Sequence, residues 1–258
     1  MGWPFVRTLV HHETLASTSD RARALAARGT ISLPLAVRAD RQTHGRGRGA
    51  HAWWSDAGSL TFTLVLDPAA HGLRPVHEPR LALASAVAVI DAVAREFLSP
   101  SAAEALGIRW PNDVEAAGRK LGGILPERVV TPLGPRLLIG IGLNVRTRLA
   151  DAPADVRRLA VAVAELRRDP MPSDALDRAF RAILEQFQSV SERLAGGDPT
   201  LAERWDQLDL LRDRRVRVDL GPRIVTGLGR GIDPEGALRL ATESETVRLF
   251  GGQVLRGE

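Results

Sequence analysis

Arg109-Trp110-Pro111-Asn112-Asp113, followed by Lys120-Leu121-Gly122-Gly123-Ile124-Leu125, is the stretch on which the fold turns. Pro111 and Asn112-Asp113 are turn formers, so they place a tight reversal between two strands. Gly122 and Gly123 stand where a strand would carry side chains, which implies that another group approaches the backbone closely there. Lys120 is the one lysine among 35 basic residues, and Asn112 and Asn144 are the only asparagines. A chain that draws nearly all its positive charge from Arg yet holds one Lys points to a position where a compact ammonium serves and a planar guanidinium does not. Trp110 and Asp113 also admit a plainer reading, as a core aromatic and a turn acceptor.

Around that centre, residues 7–13, 35–39, 59–66, 108–110, 120–130 and 135–145 read as strands. Ser17-Thr18-Ser19-Asp20 offers capping side chains to a helix that Gly29 stops. Residues 40–58 read as a Gly/Arg/Trp-rich loop, and 79–97 as an Ala/Val/Leu-rich helix buried on most faces. Further helices are expected over 153–168, 173–195 and 199–210, the last two parted by Gly196-Gly197-Asp198-Pro199. Beyond about residue 211, short runs such as Arg215-Val216-Arg217-Val218 alternate between Gly/Pro turns, the pattern of a small β-barrel. The expected organisation is an α+β domain over residues 1–210 and a small all-β domain over 211–258.

Composition narrows the function. The 258 residues are 44% hydrophobic and 26% charged, enough for a core beneath a soluble surface. The absence of cysteine excludes disulfides, thiolate metal sites and cysteine nucleophiles, and suits a cytoplasmic setting. No run of ~18 apolar residues occurs to span a membrane, and the start of the chain lacks the pattern of a secretory signal. A net charge of +4, spread along the chain, is a weak footprint for nucleic acid. The six histidines do not cluster at metal-ligand spacing. His11 and His12, adjacent in a strand, face opposite ways.

Two more constellations carry chemistry. Gly45-Arg46-Gly47-Arg48-Gly49, with Gln42 before it and Trp53-Trp54 after it, combines backbone N–H groups free to approach an anion with two guanidiniums. A solvated surface loop is the alternative, but paired tryptophans in such a loop argue for something packed or bound. It is not a P-loop, since Gly-Lys-Ser/Thr is missing. Gly140-Ile141-Gly142-Leu143-Asn144 alternates small and large residues on a buried strand, which implies a ligand or a neighbouring strand at close range. Asn144 reads either a base edge or a backbone turn.

Together these residues resemble the biotin protein ligase family. The correspondence runs in order through Ser17-Thr18-Ser19, Gln42, Gly45 to Trp53, Arg109 to Asp113, Lys120 to Leu125, Gly140 to Asn144, and Gly231-Ile232-Asp233-Pro234-Glu235-Gly236-Ala237-Leu238. It departs from the family pattern at Ser19, where Asn is usual, and at Ala50-His51, where Gly-Arg is usual. The loop therefore carries less fixed charge, which bears on how tightly an intermediate is held.

The resemblance implies a central mixed β-sheet flanked by helices, as in class II synthetases, and a small SH3-like β-barrel at the C-terminal end. It implies ATP-dependent biotinylation of a lysine on a carboxyl-carrier domain, through biotinyl-5′-adenylate. ATP and biotin are the substrates, and Mg²⁺ is carried mainly by the ATP. Ser17, Thr18, Ser19, Gln42, Gly45, Arg46, Gly47, Arg48, Trp53, Lys120, Gly122 and Gly140 are implied at biotin. Arg46, Gly47, Arg48, Asn112, Lys120 and Asn144 are implied at ATP or the adenylate. Lys120, Arg48 and Asp113 are the implied catalytic groups, with Lys120 bridging carboxylate and α-phosphate. The resemblance is to the ligase-only form, without a DNA-binding head. A lipoate-type ligase is the nearest rival, but it would lack Gly-Arg-Gly-Arg and Trp-Pro-Asn-Asp. An Arg-rich RNA-binding module is a rival of another class, against which the scattering of Arg and the absence of an RNP-type aromatic motif weigh.

Overall fold

The computed structural model describes residues 2–49 and 51–256. Its strands are β1 (Thr8–Leu15), β2 (Leu35–Gln42), β3 (Gly45–Arg46), β4 (Ala52–Trp53), β5 (Ser59–Leu66), β6 (Leu106–Arg109), β7 (Asp113–Ala116), β8 (Arg119–Thr131) and β9 (Gly134–Asn144). After these come β10 (Arg215–Asp219), β11 (Ile224–Ile232), β12 (Leu238–Ala241), β13 (Thr246–Leu249) and β14 (Gln253–Val254). The helices are α1 (Thr18–Arg28), α2 (Leu81–Phe97), α3 (Pro100–Ala103), α4 (Ala154–Leu159), α5 (Ala175–Gly196) and α6 (Pro199–Gln207).

Seven strands form one sheet in the order β1-β2-β5-β9-β8-β7-β6. β1 runs parallel to β2 and the remaining pairs are antiparallel, so the sheet is mixed as expected. β5 sits near its centre and is buried along its whole length. Alternation sorts the β2 side chains between two cores. Leu35 and Val37 pack with Ala22, Leu25 and Ala26 of α1. Ala36 faces the other way, into the larger cluster with α2 and α5. The Ser17 hydroxyl accepts from the Asp20 N–H at 3.3 Å and so caps α1, and Gly29 ends it at φ 69°, in the left-handed region.

The helix expected over 153–168 breaks into α4 and a 3₁₀ turn at Val163–Leu166. Between them Val161 N–H donates to the Lys120 carbonyl at 2.9 Å, and Ala160 bridges Lys120. This tertiary pairing outweighs helix propensity and braces the backbone that carries Lys120. The helix expected to reach 210 stops at Gln207 for a related reason. Ile108 N–H donates to Leu208 O at 2.7 Å, and Leu210 N–H to Ile108 O at 3.0 Å. The 40–58 segment, expected as loop, contains the small β3–β4 hairpin.

Asp209, in the segment that pairs with Ile108, is a buried carboxylate. Its Oδ1 accepts from the Leu211 N–H at 3.0 Å, while its Oδ2 has no partner among the described residues. Burial raises its pKa from 3.8 to about 6. The folded state therefore holds this proton more tightly than the unfolded chain. Stability falls as pH rises through the window from about 4 to about 6, and the full penalty stands above it. Asp209→Asn keeps the acceptor and removes the charge. It is expected to stabilise the protein at pH 7.5, by at most roughly 3 kcal/mol, with the gain vanishing toward pH 4. Melting temperatures of both proteins across pH 4–8 measure this; a gap that does not change with pH refutes it.

The C-terminal strands form a five-stranded antiparallel sheet in the order β13-β12-β11-β10-β14. The expected barrel does not close among the described residues. β14 is two residues long and pairs with β10 alone, through Val218–Val254 and Asp219–Gln253. This sheet shares its core with the larger one: Val216, Val218, Leu238 and Leu240 lie in the same buried cluster as Val87, Ile90 and Trp110. Two indoles fasten them. Trp110 Nε1 donates to the Gly236 carbonyl at 3.0 Å, and Trp205 Nε1 to the Asp233 carbonyl at 3.2 Å. Among the described residues no helix is long and apolar enough to cross a membrane.

Candidate active site

A cavity of about 930 Å³ opens where α1, the β3–β4 hairpin, the β6–β7 turn and the C-terminal sheet meet. That is ample for two ligands side by side. One end is built from Thr18, Ser19 and Gln42 beside Phe62 and Gly140. The other walls bring Arg48, Arg109, Lys120 and Arg256 around it, with Arg46 at the hairpin. Asp113 is the one carboxylate in the lining among the described residues, so the cavity is strongly cationic and suits anionic reactants.

Lys120 stands at the start of β8, and its Nζ lies 2.7 Å from Asp113 Oδ1. Asp113 faces it because β7 pairs Asp113 with Gly123 of β8. A Cβ at Gly123 would lie 3.3 Å from both Cε and Nζ of Lys120, and 3.4 Å from Asp113 Oδ1, so glycine keeps room for this pair. The ammonium also lies 5.7 Å from the Trp53 ring centroid, in cation–π range. Trp53 in turn lies on Gly142, where a Cβ would come within 2.5 Å of Cε2. The glycines of β9 thus have distinct tasks: Gly142 seats the indole, and Gly140 leaves 3.1 Å between its virtual Cβ and Ser19 Oγ.

The hairpin places its two guanidiniums differently. Arg46 reaches Asp20 at 3.0 Å and Glu127 at 2.9 Å, so its charge is already matched. Arg48 donates to the carbonyl of Gly252 and ties the hairpin to the C-terminal sheet. Behind the cationic wall lies Glu115, 3% exposed, paired with Arg256 and 3.9 Å from Arg109. Burial raises the Glu115 pKa and lowers that of Arg109, against the pull each exerts on the other.

Of the residues expected at the site, Thr18, Ser19, Gln42, Arg46, Gly47, Arg48, Trp53, Asn112, Asp113, Lys120 and Gly140 line the cavity. Ser17, Gly45, Gly122 and Asn144 do not. Ser17 spends its hydroxyl capping α1. Gly45 lets the hairpin close, since a Cβ there would meet the Trp53 carbonyl at 2.4 Å. A Cβ at Gly122 would lie 2.9 Å from the Gly142 carbonyl. Asn144 is 4% exposed, and its amide donates to the Val161 carbonyl at 3.2 Å and to that of Lys120 at 3.4 Å. It secures the strand behind Lys120. Of the residues that depart from the family pattern, Ser19 and His51 line the cavity; Ala50 lies outside the described residues. The residues that sequence reasoning missed include Phe62 and Leu159 and, from the C-terminal sheet, Leu220 and Gly251 to Arg256. No local motif marks them.

A hydroxyl-and-amide end facing a cationic wall suits an enzyme that sets a neutral polar group beside an anionic reactant. Residues 17–144 match the Biotin/lipoate A/B protein ligase family, and residues 213–257 match the Biotin protein ligase C terminal domain. The chain is 33% identical over 245 residues to the biotin–[acetyl-CoA-carboxylase] ligase of Mycobacterium tuberculosis, covering 93% of this chain and 85% of that protein. It is 29% identical over 254 residues to the bifunctional ligase/repressor BirA of Bacillus subtilis, covering 96% and 74%. Its fold matches a biotin protein ligase from Aquifex aeolicus in complex with biotin and ATP, with a TM-score of 0.79 over 96% of this chain and 98% of that one at 23% identity. The chain belongs to the biotin protein ligase family.

Proposed function

We infer that this chain activates biotin with ATP and transfers it to a lysine of a biotin carboxyl-carrier domain. In the first step a biotin carboxylate oxygen bonds to the α-phosphorus of ATP, and the bond to pyrophosphate breaks. In the second, the carrier amine attacks the acyl carbon of the adenylate, AMP leaves, and the amine loses a proton. The observation that carries this reading is that the chain's one lysine lines the cationic cavity, held by Asp113 at 2.7 Å.

Both reactants in the first step are anions, so charge neutralisation dominates its barrier. Lys120 offers three donors on a flexible stem, which suits oxygens on two molecules. Asp113 holds the ammonium in place before they arrive. Thr18, Ser19, Gln42 and Gly140 take the biotin rings. Gly47 and Arg48 close over the phosphate, and Trp53 walls the junction. Asn112, whose amide donates to the Ile124 carbonyl at 2.8 Å, stands at the turn assigned to the nucleotide.

A Mg²⁺ ion fits this donor set only as one carried chiefly by the nucleotide. Among the described residues Asp113 is the single carboxylate in the lining, and Mg²⁺ commonly takes one or two carboxylates together with substrate phosphates. When bound, the ion offsets the charge of the triphosphate.

Incubation with biotin, Mg²⁺ and ATP labelled at the α-phosphate tests the reading. Labelled biotinyl-adenylate is expected, consumed when a carrier domain is added. No biotin-dependent adenylate under these conditions refutes it.

A further inference from the structure

At the ring end of the cavity the hydroxyls form a chain whose direction can be deduced. Gln42 Oε1 accepts from the Thr18 N–H at 2.7 Å and from the Thr18 hydroxyl at 3.2 Å. A backbone N–H only donates, so the Gln42 oxygen faces Thr18, and its Nε2 has no protein partner among the described residues. The Thr18 hydroxyl has one proton, which it gives to Gln42. The contact of 2.9 Å between Thr18 Oγ1 and Thr63 Oγ1 therefore requires Thr63 to donate. Thr63 then has no proton left, so across the 3.2 Å to Ser19 Oγ it is Ser19 that donates. The relay runs Ser19 to Thr63 to Thr18 to Gln42.

Its two ends face the cavity with opposite characters. Gln42 presents an amide N–H₂, a donor. Ser19 has committed its only proton inward, so its oxygen presents lone pairs alone. Thr63 itself is 0% exposed on β5 and is not part of the cavity lining. It is the one member that joins Ser19 to Thr18.

We propose that Thr63 is a positioning residue that makes the ring end of the cavity specific for a cyclic urea, by forcing Ser19 to be an acceptor beside the Gln42 donor. A urea edge supplies the complement: its carbonyl accepts from Gln42, and its adjacent N–H donates to Ser19. Without the Thr63 oxygen, the Ser19 proton turns toward the ligand and opposes the urea N–H. A disulfide ring offers neither group, so the relay also separates ureido acids from dithiolane acids. This inference rests on the biotin-activating reading above.

The test is steady-state pyrophosphate release by wild type, Thr63→Val, Thr63→Ser, Ser19→Ala and the Thr63→Val/Ser19→Ala double variant. Biotin and desthiobiotin, which keeps the urea and lacks the sulfur ring, are the acids. Thr63→Val is expected to raise the KM of both by about tenfold, the cost of one misdirected hydrogen bond. KM for ATP and kcat should stay near wild type, and Thr63→Ser should restore the acid KM. Ser19→Ala should show a similar loss, and the double variant little more than either, because the two act as one unit. An unchanged KM for both acids in Ser19→Ala or in folded Thr63→Val overturns the proposal. So does a matching rise in KM for ATP, which would mark general damage to the fold. Wild-type protein that shows no turnover with biotin overturns the underlying reading, and this proposal with it.

Discussion

Lys120→Arg is expected to slow biotinyl-adenylate formation by about 100-fold or more, although the positive charge is kept. The space around Nζ is measured for an ammonium: Gly123 leaves 3.3 Å to the end of the lysine, Asp113 stands at 2.7 Å, and the Trp53 ring centroid lies at 5.7 Å. A guanidinium there would meet Asp113 as a two-pronged pair and be fixed in its plane, with fewer donors free for oxygens on two separate molecules. Single-turnover measurement with labelled ATP reads the effect directly. A rate near wild type would refute the compact-charge argument, while a loss matching that of Lys120→Met would show that geometry matters as much as charge.

Arg48→Ala is expected to let the adenylate escape, with free biotinyl-adenylate appearing about tenfold faster or more. The β3–β4 hairpin pairs Gly45 with Trp53 and Arg46 with Ala52, and Arg46 ties it to Asp20 and Glu127. Arg48 adds its tie to the C-terminal sheet by donating to the Gly252 carbonyl. His51 stands where the family pattern has a further Arg, so closure depends more heavily on Arg48. Separation of free from enzyme-bound adenylate over time measures the escape. An unchanged rate would contradict the closing role, leaving Arg48 a contact to phosphate alone.

Much of this site could be read from the chain because its parts are local. The turn after β7 folds β8 back beside it, so that Asp113, opposite Gly123, meets the Lys120 side chain, and alternating glycines on one strand announce close neighbours. Both signals lie within a few residues of the groups they serve. What could not be read comes from afar. Arg256 meets Glu115 across 141 residues of chain, and nothing in Gln253-Val254-Leu255-Arg256 marks it as cavity wall. Thr63 lies within an ordinary apolar-polar run, and its importance appears only when α1 brings Thr18 and Ser19 onto β5. The broken helix after residue 159 and the inward use of Asn144 share one cause, the pairing of Ala160 and Val161 with the backbone of Lys120. Periodicity registers a segment's own pattern and is blind to the edge it will meet. The small C-terminal sheet shows the same limit: alternation revealed its strands, but not that β14 is too short to close them into a barrel.

The indole bonds of Trp110 and Trp205 to the Gly236 and Asp233 carbonyls bear on how this enzyme can be engineered. A split reporter cut between the two sheets would strand two ring nitrogens without acceptors and unroof the reaction chamber. Neither fragment would then work alone, and reassembly of the halves would have to come before turnover. Fusions and circular permutants are better opened at Thr242–Glu245, the turn between β12 and β13, which lies outside the cavity lining and leaves both fastenings whole.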